Sequence, residues 1–197
     1  CISAILAFET MKKNIVTLGL KSLLLLTPFI IVIIFYFATD PFMVLKHHIR
    51  FDKSYFVLNE HYIGWQTYLN NRDSVKYNSF MFGNSCTMAY NCREWEKHLN
   101  KGDRAIRLFG NNERLPAIYD KLKALERQHS PIKNILIIGD SGLFGILDIH
   151  PTVLFMLPPG ESDISNTEFQ SRYLQAFLNP FYLIPYCDYR ITGHYKK

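Results

Sequence analysis

Three glycines, each directly after a short apolar run, mark the places where this sequence could do chemistry. They occur in Gly83-Asn84-Ser85, at Gly110 and in Gly139-Asp140-Ser141. A serine between a strand and a helix presents its hydroxyl at the sheet edge, and its N–H at the helix start can face a developing oxyanion. A neighbouring glycine can offer a second N–H because it has no Cβ. The pattern therefore indicates nucleophilic serine chemistry.

The apolar runs predict the strands that position these glycines. The runs end at residues 82, 109 and 138, so their ends lie 27 and 29 positions apart, close to the roughly 30 residues of a βαβ unit. Right-handed crossovers place the three glycines side by side at the carboxyl edge of one parallel sheet, where open α/β folds bind ligands. The run 132–138 predicts a strand buried on both faces.

Helices are predicted between and after these strands. One apolar helix face is formed by Met88, Cys92, Trp95 and Leu99; a second runs from Leu115 to Leu125, with Asn111 or Asn112 as its cap.

Earlier in the chain we expect a short strand at 55–58 and a helix at 61–69. Later we expect a strand at 152–157, then a helix capped by Ser165 with Glu168 and ended by Pro180. The aromatic stretch 181–189 either packs on the core, which we favour, or lies on a bilayer.

On these residues the chain resembles the SGNH hydrolases, the GDSL-like esterase and acyltransferase superfamily. It looks most like membrane-anchored, extracytoplasmic members related to polysaccharide O-acetylation proteins. The resemblance covers about residues 76–145 and rests on Gly83-Asn84-Ser85, where the family usually has Gly-Asp-Ser, and on Gly110 as the second-block glycine. It implies an α/β, three-layer flavodoxin-like parallel sheet. It also implies Ser85 as nucleophile, with the N–H groups of Ser85 and Gly110 in an oxyanion hole.

Two departures from the family pattern affect the site. The third block, normally Gly-x-Asn, reads Gly139-Asp140-Ser141, so Asn111 or Asn112 is a candidate substitute donor. Asp140, which could form a carboxylate pair with Asp148, is a further catalytic candidate. The simpler interpretation of both residues is that they are solvated acids in loops. The Asp-x-x-His element is missing, because Asp188 and His194 are six apart. We expect either a catalytic histidine in sequence beyond residue 197, which would make the sheet incomplete at its C-terminal end, or a chain that is inactive alone.

Ser141 is the alternative nucleophile, because Gly139-Asp140-Ser141-Gly142-Leu143 spells the family's name motif. We favour Ser85, since a first-block serine needs further strand–helix units after it. Only 56 residues follow Ser141, and Gly142, Gly145 and Pro151 interrupt any helix there. A purely structural interpretation also stands for Ser85, because serine is a common helix N-cap.

A membrane anchor is predicted near the N-terminus. Residues 22–39 carry no charge, and with 15–20 included the run is long enough to span a hydrocarbon core. Lys12, Lys13 and Lys21 before it favour a cytoplasmic N-terminus. A cleaved signal peptide and a buried helix are the alternatives. We divide the chain into a cytoplasmic stub (1–13, with a natural start at Met11), a signal anchor in the inner membrane (14–39), a juxtamembrane segment (40–75) and an extracytoplasmic domain (76–197).

Composition excludes several classes of protein. A net charge of +5 with no Lys/Arg stripe disfavours nucleic acid, and 48% hydrophobic residues exclude disorder. The histidines show no metal-ligand spacing, and no dinucleotide fingerprint is present, so we expect neither metal nor cofactor. Cys86 and Cys92 are expected to be buried and unbridged. Two functions remain: an esterase or O-acyltransferase acting on an envelope glycan or lipid, and a non-catalytic, membrane-tethered binding or assembly protein.

Overall fold

The computed structural model describes residues 2–52, 54–145 and 152–194. The chain divides into two compact units, Cys1–Asp40 and Pro41–Lys197. Among the predicted features, Asp148 lies outside the described residues.

The first unit is one long helix, α1 (Ile2–Thr39), which contains Pro28. Its segment Met11–Thr39 has a mean hydropathy of 2.4 and is long and apolar enough to cross a membrane. The hydroxyls of Thr17, Thr27 and Thr39 each donate to the carbonyl four residues earlier, which leaves these polar groups satisfied without water.

A small parallel sheet organises the second unit, as predicted. Its strands are β1 (Ser79–Gly83), β2 (Ala105–Arg107) and β3 (Asn134–Ile138), in the order β2-β1-β3. Both pairings are parallel. The second strand is shorter than predicted, but its ladder continues, because the N–H of Leu108 donates to the Met81 carbonyl and that of Gly110 to the Gly83 carbonyl. The mixed α/β class is therefore confirmed.

Five helices accompany the sheet among the described residues of this unit. They are α2 (Glu60–Val75), α3 (Cys92–Glu96), α4 (Leu115–Arg127), α5 (Asn166–Leu178) and α6 (Pro180–Thr192). Ser165 caps α5 as predicted, by accepting from the Glu168 N–H. Asn59 caps α2 by accepting from the N–H groups of His61 and Tyr62. The Ser165 and Asn59 side chains therefore set the residues at which α5 and α2 begin.

Several predicted elements were wrong. The helix face from Met88 to Leu99 is divided into a 3₁₀ helix, Ser85–Ala89, and the short α3, because Asn91 caps a new start. The segments 55–58 and 152–157 form no strand. Helix α4 begins after Arg114, which makes no side-chain capping bond, so neither Asn111 nor Asn112 is its cap.

The hydrophobic core lies between the sheet and the helices α2 and α4. Trp65 and Tyr68 of α2 pack with Phe80 and Phe82 of β1 and with Leu125 of α4. By contrast, the prediction that β3 is buried on both faces was wrong, because Ile135 and Ile137 are each 46% exposed. The described residues place β3 at the edge of the sheet, where no layer covers these two side chains.

A second, aromatic cluster joins the segment after residue 40 to the last two helices. Phe42 packs against Phe56, Tyr173, Phe177 and Tyr182. Residues 41–75 thus belong to the same compact unit as the sheet. In the stretch 181–189, tyrosines pack inward while Phe181 and Ile184 remain exposed.

Candidate active site at the carboxyl edge of the sheet

Ser85 lies immediately beyond the central strand, where the chain turns into a 3₁₀ helix. Gly83 has φ +136°, and a Cβ there would lie 1.6 Å from the Ile138 carbonyl oxygen, so only glycine fits this close approach to β3. Asn84 is buried and caps the helix, its Oδ1 accepting from the Cys86 N–H at 3.0 Å. Ser85 begins the helix and its side chain is exposed. The local sequence therefore presents the hydroxyl to solvent at the sheet edge.

The loop after β3 repeats this arrangement. Asp140 caps the 3₁₀ helix Ser141–Phe144, with its Oδ1 accepting from the Gly142 N–H at 2.9 Å. Ser141 begins that helix and is exposed, as Ser85 is in the first loop. Both candidate nucleophiles thus occupy the same local position on adjacent strands.

One hydrogen bond joins the two serine loops directly. The Asn84 Nδ2 donates to the Asp140 Oδ1 at 2.9 Å, and the Cys86 Sγ lies 3.8 Å from the Asp140 Oδ2. The topology therefore brings together residues 56 positions apart. Because Cys86 is a free, exposed thiol, the expectation that it is buried was wrong.

Gly110 lies beside Gly83, but its amide is already engaged. The Gly110 N–H donates to the Gly83 carbonyl at 3.2 Å. In this arrangement, the amide predicted as the second oxyanion donor continues the β1–β2 ladder instead. A Cβ on Gly110 would lie 1.9 Å from the His61 ring, so a side chain here would displace that imidazole.

Asn112 lies in the turn that follows Gly110. The Glu113 N–H donates to the Gly110 carbonyl at 3.3 Å, and Asn112 has φ +52°, the left-handed region that asparagine tolerates. Its side chain is exposed. The turn therefore accounts for asparagine at this position by backbone conformation alone.

A buried group of four titratable residues beneath this edge was missed by sequence reasoning. It consists of His61, Glu113, Lys121 and Glu161, each at most 2% exposed. The Lys121 Nζ lies 2.5 Å from the Glu113 Oε1 and donates to the Leu108 carbonyl at 2.8 Å. The His61 Nδ1 is 4.0 Å from the same Glu113 oxygen. We call these four residues the buried ionic cluster.

Burial dominates the titration of the buried ionic cluster. Desolvation lowers the pKa of His61 well below 6.5, and the nearby Lys121 charge lowers it further. Desolvation raises the pKa of Glu113, although Lys121 opposes the shift. It raises the pKa of Glu161 to about 8. Neither Glu161 carboxylate oxygen has a hydrogen-bond partner among the described residues.

One signal in the sequence could have revealed this cluster. Lys121 lies on the same face of α4 as Ile118, Ala124 and Leu125, the other buried residues of that helix. A lysine in the apolar stripe of a helix requires a buried anionic partner.

Comparisons with known proteins add nothing to these observations, since no family model, no curated protein and no solved structure matches the chain.

Proposed function

We propose that the protein is a membrane-anchored, SGNH-like esterase or O-acyltransferase that acts on envelope glycan or lipid esters through Ser85. The observation that carries the proposal is the place of Ser85: an exposed serine at the carboxyl end of the central strand of a parallel β2-β1-β3 sheet. This order matches the start of the flavodoxin-like order 2-1-3-4-5, in which ligands bind at the switch point beside the first strand.

The proposed reaction is acyl transfer through a covalent intermediate. The Ser85 Oγ forms a bond to the ester carbonyl carbon, and the tetrahedral oxyanion is stabilised by the Ser85 N–H at the start of the 3₁₀ helix. Collapse breaks the ester C–O bond and releases the alcohol, which carries the proton that Ser85 loses. The oxygen of water or of an acceptor hydroxyl then bonds to the acyl carbon, the Ser85 Oγ–C bond breaks, and the proton lost by the attacking oxygen returns to the Ser85 Oγ. A histidine beyond residue 197 as proton acceptor stays a prediction.

The site of action follows from α1. We propose that this helix anchors the domain in the inner membrane as a single span, with Lys12, Lys13 and Lys21 on the cytoplasmic side. The catalytic domain then faces the envelope, where glycan and lipid esters lie within reach of a tethered enzyme.

Removal of the Ser85 hydroxyl should abolish ester hydrolysis. We expect the full-length protein in detergent to hydrolyse p-nitrophenyl acetate, and Ser85→Ala to lose at least about 1000-fold in kcat/KM, because the covalent route is lost. Ser141→Ala is the matched control and should keep most of the activity. The reverse result would assign the nucleophile to Ser141, and equal activity in wild type and both variants would refute a serine nucleophile.

A non-catalytic binding or assembly protein is the second candidate. It is favoured by the Gly110 N–H, which donates to the Gly83 carbonyl at 3.2 Å rather than facing solvent. On this alternative the sheet edge binds an envelope glycan without cleaving it. Glycan binding that Ser85→Ala leaves intact, together with no hydrolysis by the wild type, would favour this function.

A further inference from the structure

The bond between the two serine loops is part of a longer chain of polar contacts. The Asp140 Oδ1 accepts both the Gly142 N–H and the Asn84 Nδ2, each at 2.9 Å. The Asn84 Oδ1 in turn accepts the Cys86 N–H at 3.0 Å. Three bonds therefore lead from the loop after β3 to the amide that directly follows Ser85.

The Asn84 side chain has one orientation in this chain of bonds. Its amide nitrogen faces a carboxylate and its amide oxygen faces a backbone N–H, so a flipped amide would place like groups against each other. Asn84 is only 7% exposed, and a buried amide that loses its partner costs free energy. Loss of the Asp140 carboxylate would therefore leave the Asn84 Nδ2 without its acceptor and weaken the Asn84 cap.

We propose that Asp140 is a positioning residue for Ser85. Its carboxylate fixes Asn84, and Asn84 fixes the first turn of the 3₁₀ helix that Ser85 begins. The catalytic consequence rests on the proposed function, whereas the ordering of the loop rests on the geometry alone.

The same pair accounts for a departure from the family motif. Position 84 is asparagine, whereas the family that this chain resembles usually has aspartate there. An aspartate there would bring a second carboxylate to hydrogen-bond distance from Asp140, and two such groups do not both ionise without a large cost. A change towards the family motif should therefore damage this site.

The experiment compares substitutions at both positions in the full-length protein. Asp140→Ala removes the acceptor, whereas Asp140→Asn keeps one oxygen that can accept both bonds and exchanges the other, charged oxygen for a neutral NH2 group. Asn84→Asp creates the carboxylate pair, and Asn84→Asp with Asp140→Asn relieves it. Asp73→Ala, at a side chain 97% exposed on α2, is the control.

The first readout is hydrogen exchange at the Cys86 amide, which needs no catalytic activity. We expect exchange about tenfold faster in Asp140→Ala and in Asn84→Asp, near the wild-type rate in Asp140→Asn and Asp73→Ala, and slower in the double variant than in Asn84→Asp. Unchanged exchange in Asp140→Ala would overturn the inference, because the two loops would then order independently.

The second readout is the rate at which a fluorophosphonate labels Ser85. Asp140→Ala should slow labelling about tenfold, and Asp140→Asn should stay within about threefold of the wild type. Equal losses in both variants would overturn the positioning claim, because they would show that the charge itself acts in catalysis. A wild type that is not labelled at all would contradict the proposed function and leave hydrogen exchange to decide the inference.

Discussion

Lys121→Met is expected to destabilise the protein by about 3–5 kcal/mol. Lys121 is fully buried, and its Nζ lies 2.5 Å from the Glu113 carboxylate. Without the lysine, Glu113 and Glu161 lose the buried cation that the described residues place beside them, and the Leu108 carbonyl loses its donor. Denaturant unfolding of the full-length protein in detergent measures the loss.

Two comparisons separate the buried charge from the lysine side chain itself. Lys123→Met, on the same helix, removes an exposed cation that pairs with Asp120 and should cost about 0–1 kcal/mol. The double variant Lys121→Met with Glu113→Leu removes both charges of the buried pair and should recover most of the stability. Equal effects of Lys121→Met and Lys123→Met would show that no buried ionic cluster forms.

Glu161→Gln is expected to stabilise the protein at pH 8 and to flatten the fall in stability above pH 6.5. The pKa of Glu161 is raised from 4.5 to about 8 by burial, so the folded state holds its proton where the unfolded state has lost it. The free energy of unfolding therefore falls as pH rises from 4.5 to about 8. One such proton changes stability by about 1.4 kcal/mol per pH unit, or about 2 kcal/mol between pH 6.5 and 8.

Above pH 6.5, the change in the free energy of unfolding reports on the buried carboxyl groups rather than on His61. The pKa of His61 is lowered, so its contribution rises with pH below 6.5 and opposes the glutamates there. The pKa of Glu113 is also raised by burial, but the Lys121 charge opposes that shift, so we assign the slope above pH 6.5 to Glu161. Glu168→Gln, at an exposed carboxylate paired with Arg172, should leave the slope unchanged. A wild type whose stability is flat from pH 6.5 to 8 would contradict the burial of Glu161.

The local parts of this fold could be predicted from sequence. Apolar runs that end in glycine correctly predicted the three parallel strands, because the strands of a parallel sheet have few polar residues. The helix α5 was predicted through Ser165, since an N-cap acts on its own first turn. The same local logic placed Ser85 at the start of a helix, although that helix is a 3₁₀ turn rather than a long α-helix.

The parts that depend on distant residues could not be predicted. The exposure of Ile135 and Ile137 depends on what covers β3, and an apolar run does not reveal how many layers surround it. The Asn84–Asp140 bond and the buried ionic cluster join residues from separate elements. Lys121 on the apolar face of α4 indicates that a buried anion is needed, but no spacing along the chain identifies which residues supply it or pairs Asn84 with Asp140.

Mapping of a fluorophosphonate adduct on the full-length protein tests the central claim most directly. We expect mass spectrometry to find the phosphonate on the Ser85 hydroxyl, and Ser85→Ala to remain unlabelled under the same conditions. An adduct on Ser141, or a full-length protein that stays unmodified while an active serine esterase in the same sample is labelled, would contradict it.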